Sequence, residues 1–212
     1  MLQIKFLQEI YLVMIDIKDL NNSKPYNLFS NFYKVAIKNN QNPVNAISIS
    51  SLDAHKLEVD SRYVNLKCIN NDEWIFFSNY NSPKAMQFKS HDQIAALIYW
   101  NKTNIQIRIK AKIKKSDFSF SNKVFKSRDN LKNALAISSR QSELISSYQE
   151  VENNFNKIAS QKTKINVRPD YWGGYSFVPY YFEFWEGHES RVNKRTCYTF
   201  NNGIWDENYL QP

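Results

Sequence analysis

The sequence predicts a mainly β fold, a closed antiparallel sheet of barrel type with helical additions. Residues 105–113 alternate strictly: Ile105, Ile107, Ile109, Ala111 and Ile113 on one side, Gln106, Arg108, Lys110 and Lys112 on the other, continued by Lys114. That is the period of a long strand with one wet or ligand-facing side. Strand patterns fill residues 44–115 and return after 175, while helical spacing is concentrated in 26–38, 82–89 and 117–160. The connections are too short for repeated parallel crossovers, so neighbouring strands must pair antiparallel, and a small barrel is the economical closure.

Residues 1–24 read as a weakly ordered N-terminal leader with room for one short helix, closing in the polar cluster Asn21-Asn22-Ser23-Lys24-Pro25. In 26–38, Leu28, Phe29, Phe32, Val35 and Ala36 recur at helical spacing, which predicts an amphipathic helix. Residues 44–51 read as a strand, Asp53-Ala54-His55 as its turn, and 59–69 as the partner strand. Asn70-Asn71-Asp72 is a second turn before a strand over 74–78. Ser82-Pro83-Lys84 starts a helix, with Ser82 as N-cap and Pro83 at the first position, where a missing N–H costs least. The continuous apolar run 94–100 predicts a strand covered on both faces. The helical insert, about 117–160, is interrupted near Arg128-Asp129 and Ser138-Ser139; strands follow at 175–178, 181–185 and 196–200. Residues 25–212 read as a single domain.

Composition narrows the function classes. Of 212 residues, 42% are hydrophobic, too many for disorder. Cys68 and Cys197 make neither a disulfide scaffold nor, with the scattered His55, His91 and His188, a metal site. Cys68, on an apolar strand, reads as a small buried hydrophobe. The apolar run at 10–15 is far below the roughly 20 residues a bilayer needs. Charged Lys5, Glu9 and Asp16 around it, without a small-residue cleavage site, do not suit a signal peptide. The expectations are a cytoplasmic protein with no membrane partner. The net charge of +8 (28 basic against 20 acidic residues) favours anionic partners. Lys110, Lys112 and Lys114 read as a solvated strand face, so nucleic acid is not expected. Trp172, Tyr175, Phe184 and Trp185 read first as packing.

Basic and polar side chains gather where strands end or helices begin: Arg62 and Lys67 flank a strand, Ser78 closes another, and Lys84 lies in the first turn of a helix. A helix N-terminus with a lysine suits a phosphate. Arg62 and Lys67, five apart, point to opposite faces of a regular strand, so a bulge or separate ligand groups are implied. Arg191, Asn193 and Arg195, two apart, would share one face of a strand.

In order along the chain stand Arg62-Tyr63-Val64-Asn65-Leu66-Lys67, Phe76-Phe77-Ser78-Asn79, Ser82-Pro83-Lys84-Ala85 and Gln106. Ser127-Arg128 and Ser139-Arg140-Gln141-Ser142 follow, then Trp172-Gly173-Gly174-Tyr175, Glu183-Phe184-Trp185-Glu186-Gly187, Arg191 and Arg195. This ordered set, spanning about residues 25–212, resembles the pyridoxine/pyridoxamine 5′-phosphate oxidases. The resemblance implies an FMN-binding split β-barrel and a homodimer holding FMN at the subunit interface. It places Arg62, Tyr63, Val64, Asn65, Leu66, Lys67, Phe77, Ser78, Pro83, Lys84, Gln106, Gln141, Ser142, Trp185 and Arg195 on cofactor positions. Lys67, Val124, Arg128, Lys132, Arg191 and Asn193 fall on substrate positions, and Arg191 and Asn193 on those over the reacting carbon. Val124, Lys132 and Asn193 replace the family's Tyr, Ser and His, and Pro83 stands where an Arg is usual. The implied activity is oxidation of pyridoxamine or pyridoxine 5′-phosphate to pyridoxal 5′-phosphate, with O2 reduced to H2O2. The alternative is a split-barrel flavoprotein with an altered substrate or no oxidase turnover.

Overall fold

The computed structural model describes residues 14–161 and 163–212. Residues 1–13, most of the expected leader, lie outside the described residues. The rest of that segment contributes β1 (Asp16–Lys18), and Ile15 is buried in the core. Helix α1 (Lys24–Lys38) presents Tyr26, Phe29, Tyr33 and Ala36 to the interior, and Phe29 packs 4.5 Å from Trp74 between ring centres. Strands β2 (Ala46–Asp53) and β3 (Glu58–Asn65) form a hairpin, followed by β4 (Cys68–Asn70) and β5 (Glu73–Asn79). Helix α2 (Pro83–Ser90) leads to β6 (Gln93–Trp100) and β7 (Ile105–Lys115). The insert is α3 (Phe118–Ser127), α4 (Asn130–Ser138) and α5 (Tyr148–Ala159), with a 3-10 turn at Lys164–Asn166. β8 (Trp172–Glu186), β9 (Lys194–Asn201) and β10 (Ile204–Leu210) complete the sheet.

The strand order is β1-β4-β5-β8-β7-β6-β2-β3, with β9 on the second half of β8 and β10 beyond it. Every described pairing is antiparallel except β1 with β4. The inner faces enclose Trp74, Trp100, Phe76, Phe177, Phe182, Phe184, Ile47 and Ile49, all essentially solvent-free.

Five details correct the expectations. The strand expected over 59–69 breaks at Leu66-Lys67, and among the described residues no ladder joins the two ends of the strand order, β1 and β3. Leu66 N–H bonds Asn45 O on the β2 side and Lys67 N–H bonds Ile75 O on the β5 side, so the chain changes partners there. The strands expected at 175–178 and 181–185 are one strand, which absorbs Tyr180 as an extra residue at a register shift opposite Lys110-Ala111. Pro179 sits at that irregularity, where its missing N–H is tolerated. Strand β6 is covered on one face only; Leu97 and Tyr99 are exposed because the outer side of the barrel has nothing packed on it among the described residues. Ser82 precedes α2 as expected, but its hydroxyl donates to Asn79 O instead of accepting from a backbone N–H of the helix. Strand β10, not foreseen, follows a two-residue loop in which Asn202 and Gly203 both have positive φ, the hairpin turn this pair favours.

The insert is held by side-chain caps. Asp117 accepts from Ser119 and Phe120 N–H, and Asp129 from Leu131 and Lys132 N–H. The second cap leaves Arg128 at the junction of α3 and α4, against β8. There Gly173 is required by close approach: a Cβ would lie 2.1 Å from Tyr80 Oη, which donates to Gly174 O.

Candidate functional site

The break after β3, the end of β5, the start of α2 and the insert surround a cavity of about 880 Å3. Arg62, Tyr63, Val64, Asn65 and Lys67 line one side, and Pro83 and Lys84 enter from α2. Phe77 and Ser78 come from β5, Val124, Arg128 and Lys132 from the insert, and Gln141 and Ser142 from the connection to α5. The partner change at residues 66–67 is what lets Arg62 and Lys67 share the cavity although five positions apart. Leu66, expected at the cofactor, is fully buried and does not line it.

The charge balance is one-sided. Lys84 is 7% exposed, and its one hydrogen bond among the described residues is to Ser82 Oγ at 3.3 Å. Burial, and then the neighbouring Arg62 charge, lower its ammonium pKa to about 8. Arg62 pairs with Asp60 at 2.7 Å, and this bond holds the Asp60 carboxyl below its usual range. Asp60 is more than half exposed, so water screens it. A buried, under-satisfied ammonium beside a guanidinium is suited to an anion with several acceptor oxygens.

The opposite wall is aromatic. Phe77 and Trp172 stack at 5.0 Å, and Phe125 meets Trp172 edge-on at 5.1 Å. The Arg128 guanidinium lies 5.0 Å above Trp172 and donates to Lys132 O at 2.9 Å. Gln141 Oε1 accepts from Ser78 Oγ and Asn79 N–H, tying the insert to β5.

Gln106, Trp185 and Arg195 do not line the cavity. They are direct cross-strand neighbours, Gln106 opposite Trp185 and Trp185 opposite Arg195, in one row with the exposed Tyr99 on the outer face of β6–β9. Arg191 and Asn193 also stand apart from the cavity, and the expectation that they share a strand face with Arg195 fails. Arg191 has φ +64°, its N–H bonds His188 O, and Asn193 Oδ1 accepts from His188 N–H, so a closed turn precedes β9. Cys68 is buried, and burial pushes its thiol up to about 11, as befits an inert packing residue.

The sequence reading missed several lining residues. Asp60 lies two positions from Arg62 on a strand and so shares its face, a readable signal. Trp172 was read only as packing, and it does both. Asn42, Pro43 and Asn45 reach the cavity from the loop before β2, with no local signature.

A family profile described as the pyridoxine 5′-phosphate oxidase C-terminal dimerisation region matches residues 172–212. The chain is 32% identical over 197 residues to the pyridoxine/pyridoxamine 5′-phosphate oxidase of Rippkaea orientalis, covering 92% of each chain. It is 34% identical over 200 residues to that of Aliarcobacter butzleri, covering 93% of each. Among solved structures it superposes on PhzG of Burkholderia lata, in complex with tetrahydrophenazine-1-carboxylic acid, with a TM-score of 0.83 at 22% identity over 90% of this chain and 93% of that one. A pyridoxamine 5′-phosphate oxidase-related, FMN-binding protein of Nostoc punctiforme gives 0.73 at 11% identity over 90% and 99%. The two superpositions establish a shared fold.

Proposed function

The chain belongs to the pyridoxine/pyridoxamine 5′-phosphate oxidase family, and from that premise we propose that it oxidises pyridoxamine or pyridoxine 5′-phosphate to pyridoxal 5′-phosphate, with O2 reduced to H2O2. It is a flavin oxidoreductase, and FMN is its cofactor. The observation that carries the reading is the buried Lys84 ammonium, with one long hydrogen bond and a second cation beside it. That donor set fits a phosphate monoester, and the cavity is large enough for a flavin beside a second small molecule.

FMN, when bound, would supply the two-electron redox chemistry that links substrate oxidation to O2 reduction. The protein's part is to bind and orient. Lys84 donates to the cofactor phosphate and Arg62, whose terminal nitrogens are already engaged, adds its charge, while Ser78 and Gln141 offer neutral hydrogen-bonding groups beside it. Lys67, Arg128 and Lys132 hold the substrate phosphate. Arg128, already fixed over Trp172 and by Lys132 O, gives a planar fork for two phosphate oxygens. Phe77, Val124 and Trp172 keep water from that wall. Arg191 and Asn193, which stand apart from this subunit's own cavity, would orient the substrate from across the subunit contact; there Asn193 acts by hydrogen bonding alone, because an amide does not titrate near neutral pH.

The remaining cofactor positions, Gln106, Trp185 and Arg195, stand on the outer face with exposed Leu97 and Tyr99. A homodimer that covers this face, within which the matched dimerisation region supplies β8–β10, is the arrangement in which one subunit's row completes the other's cavity.

The test is a turnover assay with FMN-saturated protein and both phosphorylated B6 forms, reading pyridoxal 5′-phosphate and peroxide together. Formation of both in equal amounts is expected; FMN-loaded protein that makes neither overturns the substrate assignment. A second reading, a flavoprotein acting on another small molecule, is favoured by Val124, which turns an apolar side chain to the cavity where the family has a phenol.

A further inference from the structure

Gln87 lies outside the cavity lining, yet it joins the two elements that carry the cations. It is three residues after Lys84 on α2, hence on the same helix face. Its side chain is nearly buried, and Oε1 accepts from Arg62 Nη2 at 2.7 Å and from Ser51 Oγ at 2.6 Å. Arg62 Nη1 in turn donates to Ser51 Oγ at 2.7 Å and Ile49 O at 3.1 Å, and Nη2 also meets Asp60. Both terminal nitrogens of the guanidinium are thus engaged by acceptors before any ligand arrives, and only exposed Asp60 among these brings a charge.

We propose that Gln87 is a positioning residue for the flavin phosphate: as a neutral acceptor it holds Arg62 beside Lys84 without cancelling its charge, and so sets the preference for FMN over riboflavin. The inference rests on the FMN reading above. Two cations side by side repel, and without a clamp the Arg62 side chain would swing toward water. A carboxylate at position 87 would clamp equally well, but it would neutralise Arg62 inside the protein, where charge is poorly screened. An amide accepts the same two hydrogen bonds and leaves the net positive charge for the phosphate.

The near-isosteric Gln87→Glu variant adds that charge and gives up the amide's hydrogen bond to Asp60; with Arg62 and Lys84 both beside it, the new carboxyl ionises. Flavin-free protein titrated with FMN and with riboflavin, followed by flavin fluorescence, reads the effect directly. Gln87→Glu is expected to weaken FMN binding by about tenfold or more, a loss on the scale of one charge-assisted contact, and to change riboflavin binding by less than about twofold. Ser51→Ala, which removes the other leg of the clamp, is expected to lower FMN affinity by about threefold and to leave riboflavin affinity unchanged. Equal losses for both flavins in both variants mean that Gln87 serves packing alone, and the proposal falls. It falls equally if wild type prefers FMN and both variants keep that preference undiminished; the FMN reading then stands. Wild-type protein that binds neither flavin overturns that reading and this inference together.

Discussion

Arg195 donates from Nε and Nη2 to a single carboxylate oxygen of Glu183, at 3.0 and 2.8 Å. The second oxygen of Glu183 accepts from Arg108 Nη1 at 2.7 Å and Tyr181 Oη at 3.1 Å. Glu183 is only 2% exposed, so its charge is tolerable because both oxygens are paired. Arg195 Nη1 also holds Gln211 O, which ties the C-terminal residues to β9. Glu183→Ala removes the shared acceptor and leaves two guanidinium groups facing each other. A stability loss of about 1–3 kcal/mol is expected, less than for a fully buried pair because both guanidinium groups reach water, read as a lowered urea midpoint. An unchanged midpoint would show that the triad is not a stabilising unit.

Lys84→Met keeps the aliphatic stem and deletes the ammonium. The FMN affinity should fall by about 10- to 150-fold, the range of a hydrogen bond to a charged group, with riboflavin affinity nearly unaffected. Calorimetric titration of both flavins checks this.

The lowered pKa of Lys84, about 8, gives FMN binding a pH dependence of definite sign. A bound phosphate favours the ammonium, so the pKa rises in the complex and binding above about pH 8 takes up a proton. Affinity for FMN should therefore decline between about pH 8 and pH 10 in wild type and not in Lys84→Met. Stability of the flavin-free fold moves the other way. The unfolded chain keeps the lysine proton up to about 10.5, so raising the pH through that window stabilises the fold. Equilibrium binding at fixed ionic strength tests the first statement, and denaturant midpoints the second.

Leu97 is 37% exposed and Tyr99 51% on the bare face of β6. Leu97→Glu places a carboxylate at the centre of the proposed subunit contact, where desolvating an unpaired charge is costly. Dimer-sized wild type and a monomeric variant with weakened FMN binding are the expected results from sedimentation and titration. A wild-type monomer that binds FMN fully would remove the dimer from the site.

Val124→Tyr puts a phenolic hydroxyl into the cavity beside Arg128. If the substrate phosphate lies there, KM for pyridoxamine 5′-phosphate should fall by about threefold or more with kcat little changed. A steady-state series at saturating FMN decides it; a raised KM would place the phosphate elsewhere.

The alternation of 105–113, the amphipathic spacing of α1, the breaks at Arg128-Asp129 and Ser138-Ser139, and the Ser82-Pro83 helix start all appear in the structure close to where the sequence puts them. Side-chain period and capping act within a few residues, so they are written locally. Coverage and assembly are not. Whether β6 is buried on one face or two depends on what lies across it, and whether residues 175–185 make one strand or two depends on how β8 absorbs Tyr180 against β7. The turn that removes Arg191 and Asn193 from a strand face rests on the backbone conformation at one residue. The sequence by itself determined which segments carry cations and which carry aromatic rings. Only the tertiary structure decided that Arg62, Lys84 and Gln87 meet while Gln106, Trp185 and Arg195 stand on another face, because those relations depend on strand register and partner exchange over long sequence separations.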